Sequence, residues 1–150
     1  MKFPYRPYLV EATPSQPDLT EDYWPVIPFR VLGSMAEADY YGLVDTGADE
    51  TILPRSLADE IGAVEVPGSE RQLALVKHFL RVRYSSVWLQ IGQGRRRYRW
   101  PAVVAITEEP LTEAILGRAG FLAYFHASFY DDRGELELIR NRRPFPESLA

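Results

Sequence analysis

Residues 43–54, with the sequence LVDTGADETILP, constrain the fold more than any other stretch of this chain. Two apolar residues lead directly into Asp45, which is followed by Thr46 and Gly47. This order predicts a buried strand that ends by presenting a carboxylate on a tight turn, because glycine adopts turn conformations most easily. A strand rarely ends in a buried acid without a partner group, so Asp45 is the first candidate for chemistry.

Composition places the chain among ordinary globular proteins. Its 150 residues suit one domain with a real core, and its net charge of -4 leaves no broad basic field. The sequence has no cysteine, which excludes disulfides and thiolate metal sites and fits a reducing compartment. We therefore expect a cytoplasmic protein. No apolar run reaches membrane length and prolines interrupt the N-terminal residues, so neither a membrane span nor a standard export signal is expected.

The sequence has few of the histidine and cysteine side chains that commonly bind metal ions. The two histidines, His78 and His126, are far apart in sequence and lack carboxylates at ligand spacing. No metal and no other cofactor is therefore expected.

The pattern of prolines divides the chain into three parts. Residues 1–28 carry six prolines and are expected to form an extended arm, although a partly disordered tail over residues 1–22 is an equal alternative. Residues 29–140 form the predicted domain, and residues 141–150 a polar tail.

Period-two patterns and turn signals predict an all-β domain with one or two short helices. The predicted strands are residues 29–32, 37–44, 51–53, 82–91, 97–106, 114–117, 127–131 and 135–140. One helix is predicted from Pro54 to Ile61, ending at Gly62, and a second over residues 118–125. Four aromatic residues near the end of the domain are expected in the core: Tyr124, Phe125, Phe129 and Tyr130.

A second element completes the pattern: Ile115, Leu116, Gly117 and Arg118 follow a predicted strand, as Asp45 does. Together the two elements resemble the retropepsin-like aspartic proteases, the single-domain family of retroviral proteases and their relatives, including standalone bacterial members. The resemblance covers residues 29–139. It implies a closed acid-protease β-barrel, an obligate homodimer and a peptide or protein substrate.

The chemistry explains why a dimer is implied. Peptide hydrolysis without a metal or a nucleophilic side chain needs a base for water and an acid for the carbonyl oxygen, and two carboxylates in contact divide these roles by sharing one proton. The chain has one Asp-Thr-Gly element, so two chains would have to bring their Asp45 residues together on a two-fold axis.

The resemblance also implies roles for the neighbouring residues. Thr46 would bond across to the partner chain, and Gly47 would leave room for substrate. Ala48 and Asp49 would bind the substrate backbone, with Arg118 pairing with Asp49. The resemblance gives roles to two further groups of residues. Ile115, Leu116 and Gly117 would support the Asp45 loop from beneath, and Glu135–Arg140 would build a dimer sheet.

The lid departs from the retroviral pattern, because between Gly62 and Gly92 the only glycine is Gly68. Either residues 67–83 form a lid of different chemistry, using Leu75, Lys77 and His78, or the cleft is open. A non-catalytic dimeric peptide-binding module with the same fold is therefore the alternative function. The arginine cluster at residues 95–99 is read as a solvated hairpin tip, so nucleic acid binding is not expected.

Overall fold

The computed structural model describes residues 1–74 and 77–148. This part of the chain contains thirteen β-strands and one α-helix. The elements are β1 (Lys2–Pro4), β2 (Arg6–Leu9), β3 (Glu21–Trp24), β4 (Val26–Leu32), β5 (Glu37–Val44), β6 (Ile52–Pro54), α1 (Arg55–Ile61), β7 (Val64–Glu65), β8 (Arg71–Ala74), β9 (Phe79–Gln93), β10 (Arg96–Thr107), β11 (Ala114–Leu116), β12 (Phe125–Tyr130) and β13 (Glu135–Arg140). The all-β prediction is confirmed. In these described residues, no helix has the length and apolar character needed to span a bilayer.

Six strands close into a ring in the order β10, β6, β11, β5, β4, β9 and back to β10. Two neighbouring pairs are parallel, β11 with β5 and β10 with β6, and the other four are antiparallel. The short strand β11 lies between β5 and β6, so the residue that follows β5 is next to the residues that follow β11. The ring agrees with the barrel that the family resemblance implied.

The barrel interior is filled by large apolar side chains. Trp100 and Phe121 are fully buried in the main core, with ring centroids 5.8 Å apart. A second, smaller cluster comprises Ile52, Leu80, Val82 and Ala105. This second cluster lies between β6, β10 and the hairpin made by β8 and β9, so it connects the hairpin to the strand that follows the Asp45 turn.

The first predicted helix is confirmed as α1. Pro54 precedes its first turn, and Gly62 ends it with φ of 65° in the left-handed region, as the proline-first, glycine-last pattern indicates. The second predicted helix, over residues 118–125, is wrong. Only a 3₁₀ turn at Leu122–Tyr124 forms there, because Gly120 has φ of 88° and the carbonyl of Ala119 accepts hydrogen bonds from Thr51 instead of from a following turn.

The N-terminal residues contribute to two parts of the structure. β1 pairs with β13 and buries Phe3 in the main core, and Tyr5 is buried beside it. β2 and β3 form a separate hairpin in which Tyr8 stacks on Trp24 at 4.6 Å between ring centroids. Residues 1–5 are thus docked on the core, and the strands that follow form an extended hairpin.

A three-stranded sheet in the order β1, β13, β12 lies outside the ring. β13 pairs with β1 through one edge and with β12 through the other. β13 is therefore the central strand of this sheet, and within the described residues both of its edges are paired. The core expectation for Phe129 on β12 is wrong, since its side chain is 38% exposed.

Four tyrosines provide a test of the packing at alkaline pH. Burial, reinforced by the Glu113 carboxylate that accepts a hydrogen bond from its hydroxyl, raises the pKa of Tyr8 to about 12. Burial likewise raises the pKa of Tyr5, Tyr40 and Tyr84. The folded chain keeps these protons at a pH where the unfolded chain loses them, so their contribution to stability is present below about pH 10 and is lost as pH rises further.

We expect the free energy of unfolding, measured by denaturant titration, to fall steadily above about pH 10. Tyrosinate absorbance should show these tyrosines ionising later than free tyrosine. A free energy of unfolding that stays level between about pH 9 and pH 12 would contradict the burial of these hydroxyl groups.

Candidate active site

Asp45 begins the turn that follows β5. Its backbone N–H donates to the carbonyl of Leu116 at 3.1 Å, and its own carbonyl accepts the N–H of Ala48 at 3.3 Å. Because β5 and β11 run parallel, the ends of both strands arrive at the same place. The position of Asp45 is therefore fixed by the barrel ring and not by the turn alone.

The Asp45 carboxylate is held from one side only. Its Oδ1 accepts the N–H of Gly47 at 2.8 Å, and the residue is half-buried. Within residues 1–74 and 77–148 the structure gives no further hydrogen bond to this carboxylate. A Cβ at Gly47 would lie 3.2 Å from Oδ1, so a larger residue would crowd the same oxygen. The second oxygen is left available to water or to another carboxyl group.

The segment after β11 packs directly against the Asp45 turn. The N–H groups of Arg118 and Ala119 donate to the carbonyls of Ala48 and Asp49, at 2.9 and 2.8 Å. A Cβ at Gly117 would lie 2.1 Å from the Glu50 carbonyl oxygen, which no side chain can occupy. Gly117 is thus required for the close approach of two backbones, and these contacts hold the turn in place.

Arg118 pairs with Asp49, as the sequence led us to expect. The Arg118 guanidinium donates to Oδ1 of Asp49, and both side chains are largely exposed, at 66% and 78%. At such exposure the pair contributes less than about 1 kcal/mol to stability. Its consequence is orientation, because the contact with Arg118 fixes the position of the Asp49 carboxylate.

Sequence reasoning missed three groups that brace the site. The hydroxyl of Thr51, a buried residue, donates to the Ala119 carbonyl at 2.7 Å, and Trp100 Nε1 donates to the Gly120 carbonyl at 2.8 Å. The hydroxyl of Tyr84 donates to Glu50 at 3.2 Å. Thr51 belongs to the stretch 43–54, and a polar residue at the start of a buried strand was a usable signal. The other two contacts come from β9 and β10, which are distant in sequence.

A cavity of about 830 Å³ opens beside the turn. Thr46, Asp49 and Arg118 line one side, and residues 122–127 line the other. His126 is exposed there, and Arg143 of the C-terminal tail completes the wall. The three predicted residues thus share one concave surface with the start of β12. Ala48 lies in the turn itself, and Ile115 and Leu116 lie beneath it in β11.

The residues named for a lid belong to the hairpin of β8 and β9. Arg71–Ala74 pairs with the start of β9 in an antiparallel register, and Lys77 and His78 are exposed near its tip. His78 Nε2 lies 3.6 Å from a carboxylate oxygen of Glu109. Leu75, the third residue named for the lid, lies outside the described residues.

Comparison with solved structures finds a likeness to a retroviral protease. The structure is similar to the EIAV protease complexed with the inhibitor HBY-793. The similarity covers 63% of this chain and 82% of that chain, at 20% sequence identity and a TM-score of 0.44. No protein-family model matches the sequence, and no curated protein matches it.

Proposed function

We propose that this chain is an aspartic endopeptidase whose active site forms when two copies bring their Asp45 carboxylates together. One observation carries the proposal: a carboxylate at the end of a buried strand has one oxygen fixed by the Gly47 N–H, while its other oxygen accepts no bond from the described residues. The turn that carries it is braced by backbone hydrogen bonds from Arg118 and Ala119. Such rigidity is what a general acid or base requires.

The two carboxyl groups would share one proton, because two negative charges in contact cannot both persist. The ionised Asp45 would take a proton from water as the water oxygen attacks the peptide carbonyl carbon. The protonated Asp45 would give its proton to the carbonyl oxygen. The tetrahedral diol would then collapse as one hydroxyl returns its proton to a carboxylate and the leaving nitrogen receives one, which breaks the C–N bond and restores the shared proton.

The neighbouring residues would position the chains and the substrate. Thr46 and Gly47 are exposed on the turn, where Thr46 would contact the partner chain and Gly47 would allow close approach of the substrate. Ala48 and Asp49 would bind the backbone of an extended peptide, with Arg118 fixing the direction of Asp49. Beneath them Ile115, Leu116 and Gly117 would keep the turn rigid.

The alternative is a dimeric peptide-binding module that keeps this fold and does not cut. It would use the same cavity and the same Asp49 and Arg118 surface. Binding of a statine-type mimic of the tetrahedral diol separates the two. A protease should bind it at one molecule per two chains, and a module without a catalytic dyad should not prefer it over an ordinary peptide.

The pH profile tests the shared proton. We expect cleavage of a peptide library to be fastest on the acid side of neutrality and to fall on both sides, with two apparent pKa values that belong to the pair of carboxyl groups. The measurement is kcat/KM against pH on the purified dimer. A rate that continues to rise through alkaline pH would contradict this mechanism.

A further inference from the structure

Four arginines at the hairpin of β9 and β10 have no acidic partner. They are Arg95, Arg96, Arg97 and Arg99, and all four are exposed. Across residues 1–74 and 77–148, no Asp or Glu oxygen lies within 4.0 Å of their guanidinium nitrogens. Most of the other arginines do lie that close to a carboxylate. The hairpin is therefore a local basic field on a protein whose net charge is -4.

Arg97 lies over the outer face of the barrel and not at the tip of the hairpin. Its cross-strand neighbour on β9 is Gly92, and a Cβ added there would lie 2.9 Å from Cγ of Arg97. The missing side chain of Gly92 thus leaves the space that the arginine occupies. Arg97 reaches from there into a cavity of about 440 Å³ on the outer face of β4, β5 and β9. The sequence indicated a solvated tip, and the structure adds a cation held over a cavity.

This cavity has an aromatic wall. Tyr41 of β5 lines it and is 42% exposed. Arg6 packs on the same ring, 3.7 Å from its centroid, without lining the cavity. One face of the tyrosine is thus held by Arg6, and the other is available from the cavity. Two further lining residues, Pro28 and Gly92, have little or no side chain with which to fill the space.

The charged side chains that line the cavity leave one net positive charge. Asp39 accepts hydrogen bonds from two nitrogens of Arg30, at 2.7 and 3.2 Å, and Glu37 accepts one from the third at 3.1 Å. These acids are therefore occupied by Arg30. Arg97 is the lining cation that has no partner in the described chain. A ligand that fits this cavity brings a negative charge of its own.

A second arginine and a second ring extend the surface along β9 and β10. Arg99 is the cross-strand neighbour of Gln90, which also lines the cavity. Its guanidinium lies 5.2 Å from the ring of Trp88, which is half-buried. Arg97 and Arg99 are two residues apart in one strand, so their side chains leave the same face about 6.8 Å apart. Cations and rings thus follow a path that is longer than the cavity itself.

We infer that Arg97, Arg99, Tyr41 and Trp88 form a groove, the arginine groove, that binds a single strand of nucleic acid. The forked guanidinium groups would bind phosphates through paired N–H groups, and a base would stack on Tyr41 in the cavity. An acidic peptide would satisfy the arginines but leave both rings unused. A duplex would keep its bases stacked on one another and out of the cavity. The inference is independent of the protease proposal, since Asp45 does not line this cavity.

The arginines are tested by fluorescence anisotropy of a labelled oligothymidylate of about 12 nucleotides, at several salt concentrations. For a single strand, log K falls with log salt by a slope of about −0.7 per neutralised phosphate. Arg97→Gln should therefore raise the Kd about tenfold and reduce the steepness of the slope by about 0.7. Arg81→Gln is the matched control, because it removes the same charge from the opposite end of β9. It should leave the Kd within about twofold of wild type.

The aromatic wall and the position of Arg97 have their own variants. Tyr41→Ala should raise the Kd at least about fivefold and leave the salt slope unchanged, because a stacked base and no phosphate contact is lost. Tyr23→Ala, which removes an exposed tyrosine outside the groove, is its control. Gly92→Ala keeps every charge but crowds Arg97, so it should weaken binding as well. Circular dichroism on the full chain checks each fold.

Competing ligands identify the class of ligand. An unlabelled oligothymidylate should displace the probe far better than polyglutamate, a duplex of equal length or thymidine monophosphate. Polyglutamate or duplex that competes equally well would overturn the inference. So would an absence of binding at low salt, or a Kd that is unchanged in folded Arg97→Gln and Tyr41→Ala. Asp45→Asn should bind the probe as the wild type does, so a failure of the protease proposal is seen separately.

Discussion

Asp45→Asn is expected to lower kcat/KM for peptide cleavage by at least roughly 10⁴-fold, because an amide can neither accept a proton from water nor share one with the partner carboxylate. The fold should persist. Asn keeps an oxygen that can accept the Gly47 N–H, and the backbone bonds of Asp45 to Leu116 and Ala48 do not involve the side chain. The measurement is steady-state cleavage of a peptide library, with sedimentation to show that the dimer is intact.

Asp18→Asn is the control for this substitution, since Asp18 is exposed in the loop between β2 and β3, far in sequence from the turn. It should cleave at the wild-type rate. Retained turnover by a dimeric Asp45→Asn protein would place the chemistry at other residues.

Gly117→Ala is expected to have the largest effect on stability, a loss of about 3 kcal/mol or more in the free energy of unfolding. The added Cβ would lie 2.1 Å from the Glu50 carbonyl oxygen and 2.8 Å from that of Ala48, so the two backbones would have to separate. Separation would also break the bond from Arg118 N–H to Ala48, and cleavage activity should fall with stability.

Gly68→Ala separates this effect from ordinary backbone strain. Gly68 has φ of 66°, but a Cβ there would meet nothing within 4 Å. Its cost should be only about 1 kcal/mol, the penalty for an alanine in the left-handed region. Denaturant unfolding of the two variants gives the comparison. A Gly117→Ala protein within about 0.5 kcal/mol of wild type would show that the crowding does not exist in solution.

Much of the framework could be predicted because local patterns and tertiary structure agree. The bounds of Glu37–Val44 and Glu135–Arg140 follow from alternation and flanking turns, and α1 follows from Pro54 and Gly62. The Asp45 turn follows from its own sequence, and the ion pair between Asp49 and Arg118 was implied by the family resemblance. In each case the determining residues are close in sequence or belong to one of two short elements.

The start of β9 could not be predicted because the strand packs against two different clusters. Its first residues cover the small cluster and its later residues cover the main core. Leu80 and Val82 point into the small cluster, whereas Val87 and Leu89 point into the main core from the opposite face. The alternation of buried residues therefore shifts phase near Tyr84, and neither period is expressed over the whole strand. The failure of the helix at 118–125 has a similar origin, since Thr51, distant in sequence, takes the Ala119 carbonyl.

The tail and the edge of β12 were unpredictable for another reason, since their contacts depend on the assembled surface. Phe145 stacks on Trp100 at 5.0 Å, and the Arg140 guanidinium lies 3.8 Å from the Phe145 ring. Phe129 was expected in the core because it is a large aromatic residue. It is exposed because it lies on an edge strand. Composition alone does not indicate which aromatic residue lies at an edge and which lies inside.

A crystal structure of the dimer tests the central claim most directly, through the distance between the two Asp45 carboxylates. The shared-proton mechanism predicts that their nearest oxygens lie within hydrogen-bonding distance, about 2.5–3 Å, with each Oδ1 still bonded to its own Gly47 N–H. A dimer in which the two carboxylates are more than about 6 Å apart would contradict it, because carboxylates at that distance do not share a proton.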